Sequence, residues 1–242
     1  MRFSYSAVWE DTVRLIRGNA SLLIALAGVF MFLPALLMGY FLPAPPAATM
    51  TELARLAEEY FHANWAWMLL ANLANMAGAL AMLQLLFGAR PTVGQAIAHG
   101  LALLPFYFLA TILSDIMIGI GAILILPGFY LFGRMAVLAP VMAAEDRRNP
   151  IDAIGRSFAL SRGNGWAVIG LVVMVAVTAF VLSFLVNAIF GSVFIILLGQ
   201  HIGGMLALIV RAVTSAAFST LMVILFAAIY RRLAGESAAG PN

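Results

Sequence analysis

Cysteine is absent from the chain, and so is lysine: all 13 basic residues are arginine. The first absence removes any disulfide framework and any Cys-ligated metal. The second, with the abundance of Ala, points to a GC-rich bacterial genome. Charge of either sign is scarce too. Only 10% of the 242 residues are charged, against about 25% in soluble domains. What fills the chain is apolar: 64% of residues, with a mean hydropathy of +1.05. A soluble fold of this size cannot hide that much apolar surface, since roughly a quarter of the chain's surface stays accessible and too few polar residues remain to cover it. These shortages argue against a soluble enzyme, a nucleic-acid binder and a disordered tail. They leave an integral membrane protein. The net charge of +3 and pI near 9.7 do not make a nucleic-acid patch, because the arginines are scattered between apolar runs.

A spanning helix needs about 20 predominantly apolar residues. Runs of that kind predict spans at Ala20–Phe41, Trp65–Phe87, Leu101–Leu126, Pro127–Ala144, Trp166–Val186 and Leu206–Tyr230. The 44-residue stretch from Leu101 to Ala144 is divided at Pro127-Gly128, because Pro ends a helix interior and suits a first turn. Open strands would leave backbone groups unpaired in lipid, so the fold class is all-α with six transmembrane helices. Glu10 and Asp11 precede the first run, which is too long for a signal-peptide core and reads as an uncleaved span. With the N-terminus inside, Arg2, Arg14, Arg17, Arg90, Arg147, Arg148, Arg156, Arg162, Arg231 and Arg232 are cytoplasmic and Arg55 alone is outside. The positive-inside rule selects that orientation, with both termini in the cytoplasm of a bacterial inner membrane.

The chain reads as one membrane domain over 1–242, built from three hairpin units. The first is 1–87, with an outer amphipathic segment at 43–64. The second is 88–148 and the third 149–234, and 235–242 is a flexible tail. Arg17-Gly18-Asn19 opens span one and Arg162-Gly163-Asn164 opens span five, each after a short amphipathic stretch. In the first stretch Tyr5, Trp9, Val13 and Ile16 share one face, and Glu10, Arg14 and Arg17 another. In the other, Asn149-Pro150 supplies a cap and a first-turn Pro, with Ile151, Ile154 and Phe158 as the apolar stripe. A weaker copy at Pro91–Gly100 has its corner at His99-Gly100. The repeated unit is an interfacial helix, a Gly-containing corner and a helical hairpin. In the outer segment, Pro43, Pro45 and Pro46 end span one. Thr49 and Glu52 form a capping-box pattern ahead of a helix over about Met50–Tyr60.

The series Leu126-Pro127-Gly128-Phe129-Tyr130, Arg134, Pro140, Glu145, Ser157, Gly163 and Trp166 resembles the glycerophosphodiester phosphodiesterase membrane-domain family and the related YciC-like bacterial inner-membrane proteins. In that family a Pro-Gly helix start, a helix ending in Pro and an acidic residue, a short Ser-containing amphipathic helix and a small-residue corner before Trp recur in this order. The resemblance is strongest over about residues 120–175. It implies a membrane module only, because the hydrolase barrel of fused members needs roughly 250 residues of its own.

Three charges fall inside the predicted spans: Asp115, Arg134 and Arg211. At about 1.5 Å per residue, each lies about 8–10 Å below the outer face of a core about 30 Å thick. The expectation is one outer-leaflet cluster. It is either a structural ion pair with Arg211 snorkelling, or a site for an anionic headgroup matched by guanidinium. Asn72 and Asn75 serve as helix glue or line a polar pocket. His62, His99 and His201 lack metal-ligand spacing, Glu145-Asp146 with Arg147-Arg148 read as a solvated charge cluster, and no metal or other cofactor is expected. The function expected is a non-catalytic membrane module binding lipid-like anionic amphiphiles or a partner protein, a second copy included. A transporter or permease component is the alternative. An intramembrane enzyme is the weakest reading, as no nucleophile–base constellation is present.

Overall fold

The structure is a computed structural model that describes residues 3–43, 49–88 and 91–238. Arg2, Pro45, Pro46 and Arg90 lie outside the described residues. Every regular element among the described residues is helical: α1 Tyr5–Ala27, α2 Leu33–Phe41, α3 Met50–Phe87, α4 Val93–Ala122, α5 Leu126–Met135, α6 Leu138–Glu145, α7 Pro150–Leu160 and α8 Gly165–Ala238. Among the described residues five helical stretches are long and apolar enough to cross a membrane: Tyr5–Phe41, Met50–Phe87, Val93–Ala122, Leu126–Glu145 and Gly165–Gly235. An all-α membrane protein is what these elements form.

Side-chain caps start the helices. Ser4 Oγ accepts from the Ala7 N–H, Thr49 Oγ1 from Glu52 N–H at 3.2 Å, and Asn149 Oδ1 from Ile151 N–H at 3.0 Å. Thr92 and Gln95 form a full capping box at the start of α4. Inside the first stretch, a π-helical turn over Gly28–Phe32 precedes Pro34. Pro34 removes one N–H and its ring crowds the carbonyl of Phe30, and the wider turn relieves that crowding.

Four expectations are corrected by the backbone. First, α3 is continuous from Met50 to Phe87. The outer segment and span two are therefore one helix, because neither Gly nor Pro interrupts 50–77. Tyr60 Oη donates to the Leu42 carbonyl at 2.6 Å and ties this helix to the end of α2. Second, α4 runs unbroken through His99-Gly100. A Cβ at Gly100 would lie 2.9 Å from the Ala81 backbone nitrogen, so this glycine permits a close α3–α4 approach and makes no corner. Third, residues 187–205, read as an outer connection, are helical on both sides of a break at Gly199 (φ 75°, ψ 174°). Fourth, residues 235–238, read as tail, belong to α8.

The break at Gly199 folds α8 into two limbs. Asn187 Nδ2 donates to Thr214 Oγ1 at 2.8 Å, and Gly191 faces Ala207, so the limbs run antiparallel. The core gathers at the other end of the molecule. Val8 and Leu15 of α1, Leu80–Leu83 of α3, Leu138, Val141 and Met142 of α6, and Ile224, Leu225 and Ala227–Ile229 of α8 are buried there. Around Gly199 the limbs are apolar and exposed, as in Phe184, Ile196 and Leu197. The charged contacts share the core's end. Arg232 meets Asp11 at 2.5 Å, Arg231 donates to the Leu86 carbonyl at 2.5 Å, and Gln84 donates to the Ala143 carbonyl at 3.1 Å.

The Gly199 turn is testable. Its φ,ψ pair is open to Gly alone, and a side chain there costs about 1–3 kcal/mol. Gly199→Ala should lower the thermal midpoint in detergent, while Gly191→Ala, whose Cβ meets only Ala207 at 3.8 Å, should leave it unchanged.

Candidate functional site

Arg134 closes α5 and reaches across to the end of α7. Its Nε donates to Ser161 Oγ at 3.2 Å and its Nη2 to the Phe158 carbonyl, with Tyr130 Oη 3.5 Å from Nη1. The guanidinium lies over the Phe158 ring at 4.4 Å and the Tyr130 ring at 5.4 Å. The return contact is Ser157 Oγ donating to the Arg134 carbonyl at 2.6 Å. Ser157 and Ser161 are both fully buried. The last carbonyls of a helix lack intrahelical donors and carry the negative end of its dipole, so a cation there is stabilised. Carbonyl, hydroxyl and ring faces thus compensate this charge without an anion.

The expected cluster does not form. Among the described residues no ion pair includes Asp115, Arg134 or Arg211. Ser114 turns inward, its Oγ 3.4 Å from Met135 Sδ, and Asp115, about 100° further round α4, is exposed. Arg134 and Arg211 are far apart along α8. Gly133, beside Arg134, packs on Ile169, while Arg211 lies by Asn187. Ile169 to Asn187 is about 27 Å at the helical rise. Upright helices would put the three charges at one depth, and the packed helices do not. The last turn of the short α5 docks on α7 and on the start of α8, so Arg134 lies at the Gly165 end of α8, away from Arg211.

Arg211 stands in a different setting. It is exposed on the second limb, beside a notch of about 220 Å³ lined with Phe180, Ser183, Asn187, Thr214, Ser215 and Phe218. Asn187 is tied by Nδ2 to the Ser183 carbonyl (2.7 Å) and to Thr214. Between Arg162 and Arg231, Arg211 is the only charged residue in the sequence. Asn187 and Ser183 escaped sequence reasoning because Asn187 was placed in a loop. The available signal was an amide within an otherwise charge-free run.

Asn75 donates to the Ala71 carbonyl of its own helix at 2.8 Å, and Asn72 is exposed, so neither amide crosses to another helix. Nor does either line the neighbouring 530 Å³ groove, whose walls are apolar: Pro34, Leu37, Phe41, Trp67, Leu70 and Ala74 among them. Close packing there comes from Gly78 against Phe30. The residues of the family-like series fall around α5–α8. Pro127 is in the first turn of α5, Gly128 lies against Ala122, Pro140 is buried in α6, and Gly163 takes φ 80° before the exposed Trp166.

Glu145, read as part of a solvated cluster, is instead a hub. It accepts from Arg147 at 2.7 Å, Arg156 at 3.0 Å and Tyr230 Oη at 3.1 Å, joining α6, α7 and the second limb of α8. Only the outer pair Arg148–Asp146, at 3.4 Å, is surface-exposed. Among the described residues no group of three His, Asp or Glu gathers as metal ligands. Comparison with family models, with curated proteins and with solved structures returned no match.

If Arg134 is a helix cap, Arg134→Ala should cost about 1–3 kcal/mol, since it leaves the Phe158 carbonyl and Ser161 short of a donor. Thermal unfolding reads that loss. The complement of anionic lipid retained on purification should not change.

Proposed function

We propose that the chain is a non-catalytic bacterial inner-membrane module that holds lipid-like anionic amphiphiles in the notch beside Arg211. The two limbs of α8 count as two crossings, giving six, and the arginine-rich end that includes both termini faces the cytoplasm. The observation that carries the reading is the lone guanidinium of Arg211. A cation on an apolar helix is costly unless paired, and among the described residues it has no carboxylate. A phosphate or similar oxyanion matches guanidinium with parallel charge-assisted bonds. Ser183 and Ser215 add hydroxyl donors, and Phe180 and Phe218 offer apolar flanks.

Position supports the same ligand. Arg211 to Arg231 is about 30 Å along the second limb, close to the hydrocarbon thickness. Even at a tilt of about 40° the span remains about 23 Å. With Arg231 at the cytoplasmic boundary, Arg211 reaches the outer headgroup region. The resemblance to the phosphodiesterase-associated membrane family fits a module of this kind. Transport is the second reading, favoured by the breaks at Asn19, Gly28–Phe32 and Gly199. Against it stands the position of Arg211 away from the midplane.

Native mass spectrometry of protein released from bilayers of mixed zwitterionic and anionic lipid tests the proposal. Arg211→Ala should lose a retained anionic lipid, and Arg211→Lys should keep part of it. Equal retention by Arg211→Ala and the parent overturns it. Solute or lipid flux in proteoliposomes would favour transport instead.

A further inference from the structure

We infer a second lipid site at the opposite end of the molecule, in the elbow between the amphipathic part of α1 and its spanning part. The helix breaks at Asn19 (φ −133°, ψ 17°), whose amide donates to the Leu15 carbonyl at 3.0 Å. Just before the break, Trp9, Glu10, Val13, Arg14, Arg17 and Gly18 line an open concavity of about 640 Å³. The face of α1 toward the protein is Val8, Thr12 and Leu15, all buried. Of the stripe predicted as apolar, Tyr5 and Trp9 are 40% and 44% exposed, while Ile16 packs on the core. Outward aromatic rings next to arginines are the signature of a helix lying at a bilayer interface.

The charges in the elbow are unbalanced. Asp11 is taken by Arg232 at 2.5 Å and by one nitrogen of Arg14 at 3.2 Å. The Arg14 side chain is still 75% exposed, so its other N–H groups are open. Arg17 has no hydrogen-bond or ion-pair partner among the described residues. A Cβ built on Gly18 would meet nothing within 4 Å, so the concavity is open beside this glycine. Glu10 is the remaining carboxylate of the elbow, and it is exposed. Two cations and one anion leave a single positive excess, which a monoanionic phosphodiester neutralises. Its phosphate bridges Arg14 and Arg17, and hydroxyls on its headgroup donate to Glu10. The ligand class is therefore an anionic phospholipid with a hydroxylated headgroup, such as phosphatidylglycerol.

The other corner repeats these residue types independently. Arg162 is exposed, Gly163 has φ 80°, and Trp166 is 58% exposed where α8 begins. Two elbows that each present Arg, Gly and an outward Trp at one end of the bundle fit anchoring in one leaflet.

The test uses the full chain with Trp65, Trp67 and Trp166 replaced by Phe, so that Trp9 alone reports. Vesicles hold phosphatidylcholine with a fixed fraction of chain-brominated phosphatidylglycerol, or of brominated phosphatidylcholine. Trp9 should be quenched more strongly by the brominated phosphatidylglycerol, with an apparent local enrichment of about tenfold, and Arg14→Gln/Arg17→Gln should abolish the preference. Arg14→Lys/Arg17→Lys should keep part of it, which separates a lost site from a lost fold. Arg211→Ala should leave it intact, so failure of the outer notch and failure of the elbow are read separately. Equal quenching by both lipids in the parent, or a preference that survives Arg14→Gln/Arg17→Gln, overturns the site.

Discussion

A backbone carbonyl or N–H without a partner costs several kcal/mol in hydrocarbon, and that constraint organises this chain. It explains why the regular elements are helices, and also how each interruption is repaired. At Asn19 the side-chain amide bonds the Leu15 carbonyl. At Pro34 the helix widens into a π-turn, and the Leu33 N–H reaches back to Gly28. At the end of α4, the N–H groups of Leu124 and Ile125 bond Gly121 and Ala122. No buried side-chain nitrogen or oxygen lacks a partner among the described residues.

Arginine does much of this repair at the helix ends. Arg134 donates to Phe158 in the last turn of α7, and Arg231 donates to Leu86 at the end of α3 while lying 5.6 Å from the Phe87 ring. Arg232, by contrast, adds a bond to the Ala7 carbonyl in the first turn of α1 at 3.3 Å beside its ion pair with Asp11, a tie between α8 and α1. A guanidinium offers five donors in a rigid fork and is more weakly hydrated than an ammonium, so it suits this work better than lysine. The exclusive use of arginine therefore has a structural consequence, whatever genome composition produced it. Several arginines are occupied by carbonyls, and these are poor candidates for ligand binding.

Much of this architecture was legible in the sequence. The apolar runs, the caps at Thr49 and Asn149, and the division at Pro127 rest on local chemistry, and local chemistry survives folding. The fate of individual charges was not legible. Depth counted along a helix assumes that the helix is upright and begins at the membrane face, and the docking of α5 on α7 and the start of α8 defeats that for Arg134. Residues 187–205 fall between the predicted spans Trp166–Val186 and Leu206–Tyr230, and Gly191, Gly199, Gly203 and Gly204 lie within them. In the fold only Gly199 takes a non-helical conformation, and Gly203 lets the second limb approach the Phe194 carbonyl. Glu145 was misjudged for a related reason. Its partners Arg156 and Tyr230 are 11 and 85 residues away, and no periodicity reveals such a meeting.

Once the arginines bound to carbonyls and carboxylates are set aside, Arg17, Arg162 and Arg211 stand out among the described residues. The first two lie beside the elbows at the end that gathers the termini, the third about 30 Å along α8 from Arg231. The argument from cost then applies to each in its own place. Arg17, beside the α1 elbow, can stay in the headgroups at little expense, so evolution has no need to remove it and a lipid phosphate needs to supply only specificity. Arg211 interrupts the most apolar run of the chain, where an uncompensated cation lowers the favourability of insertion by about 2.5–3.5 kcal/mol at mid-span and less toward an interface. Leucine there would insert more readily. The arginine with an amide, hydroxyls and two rings around it is the more informative, because it alone interrupts the charge-free run between Arg162 and Arg231.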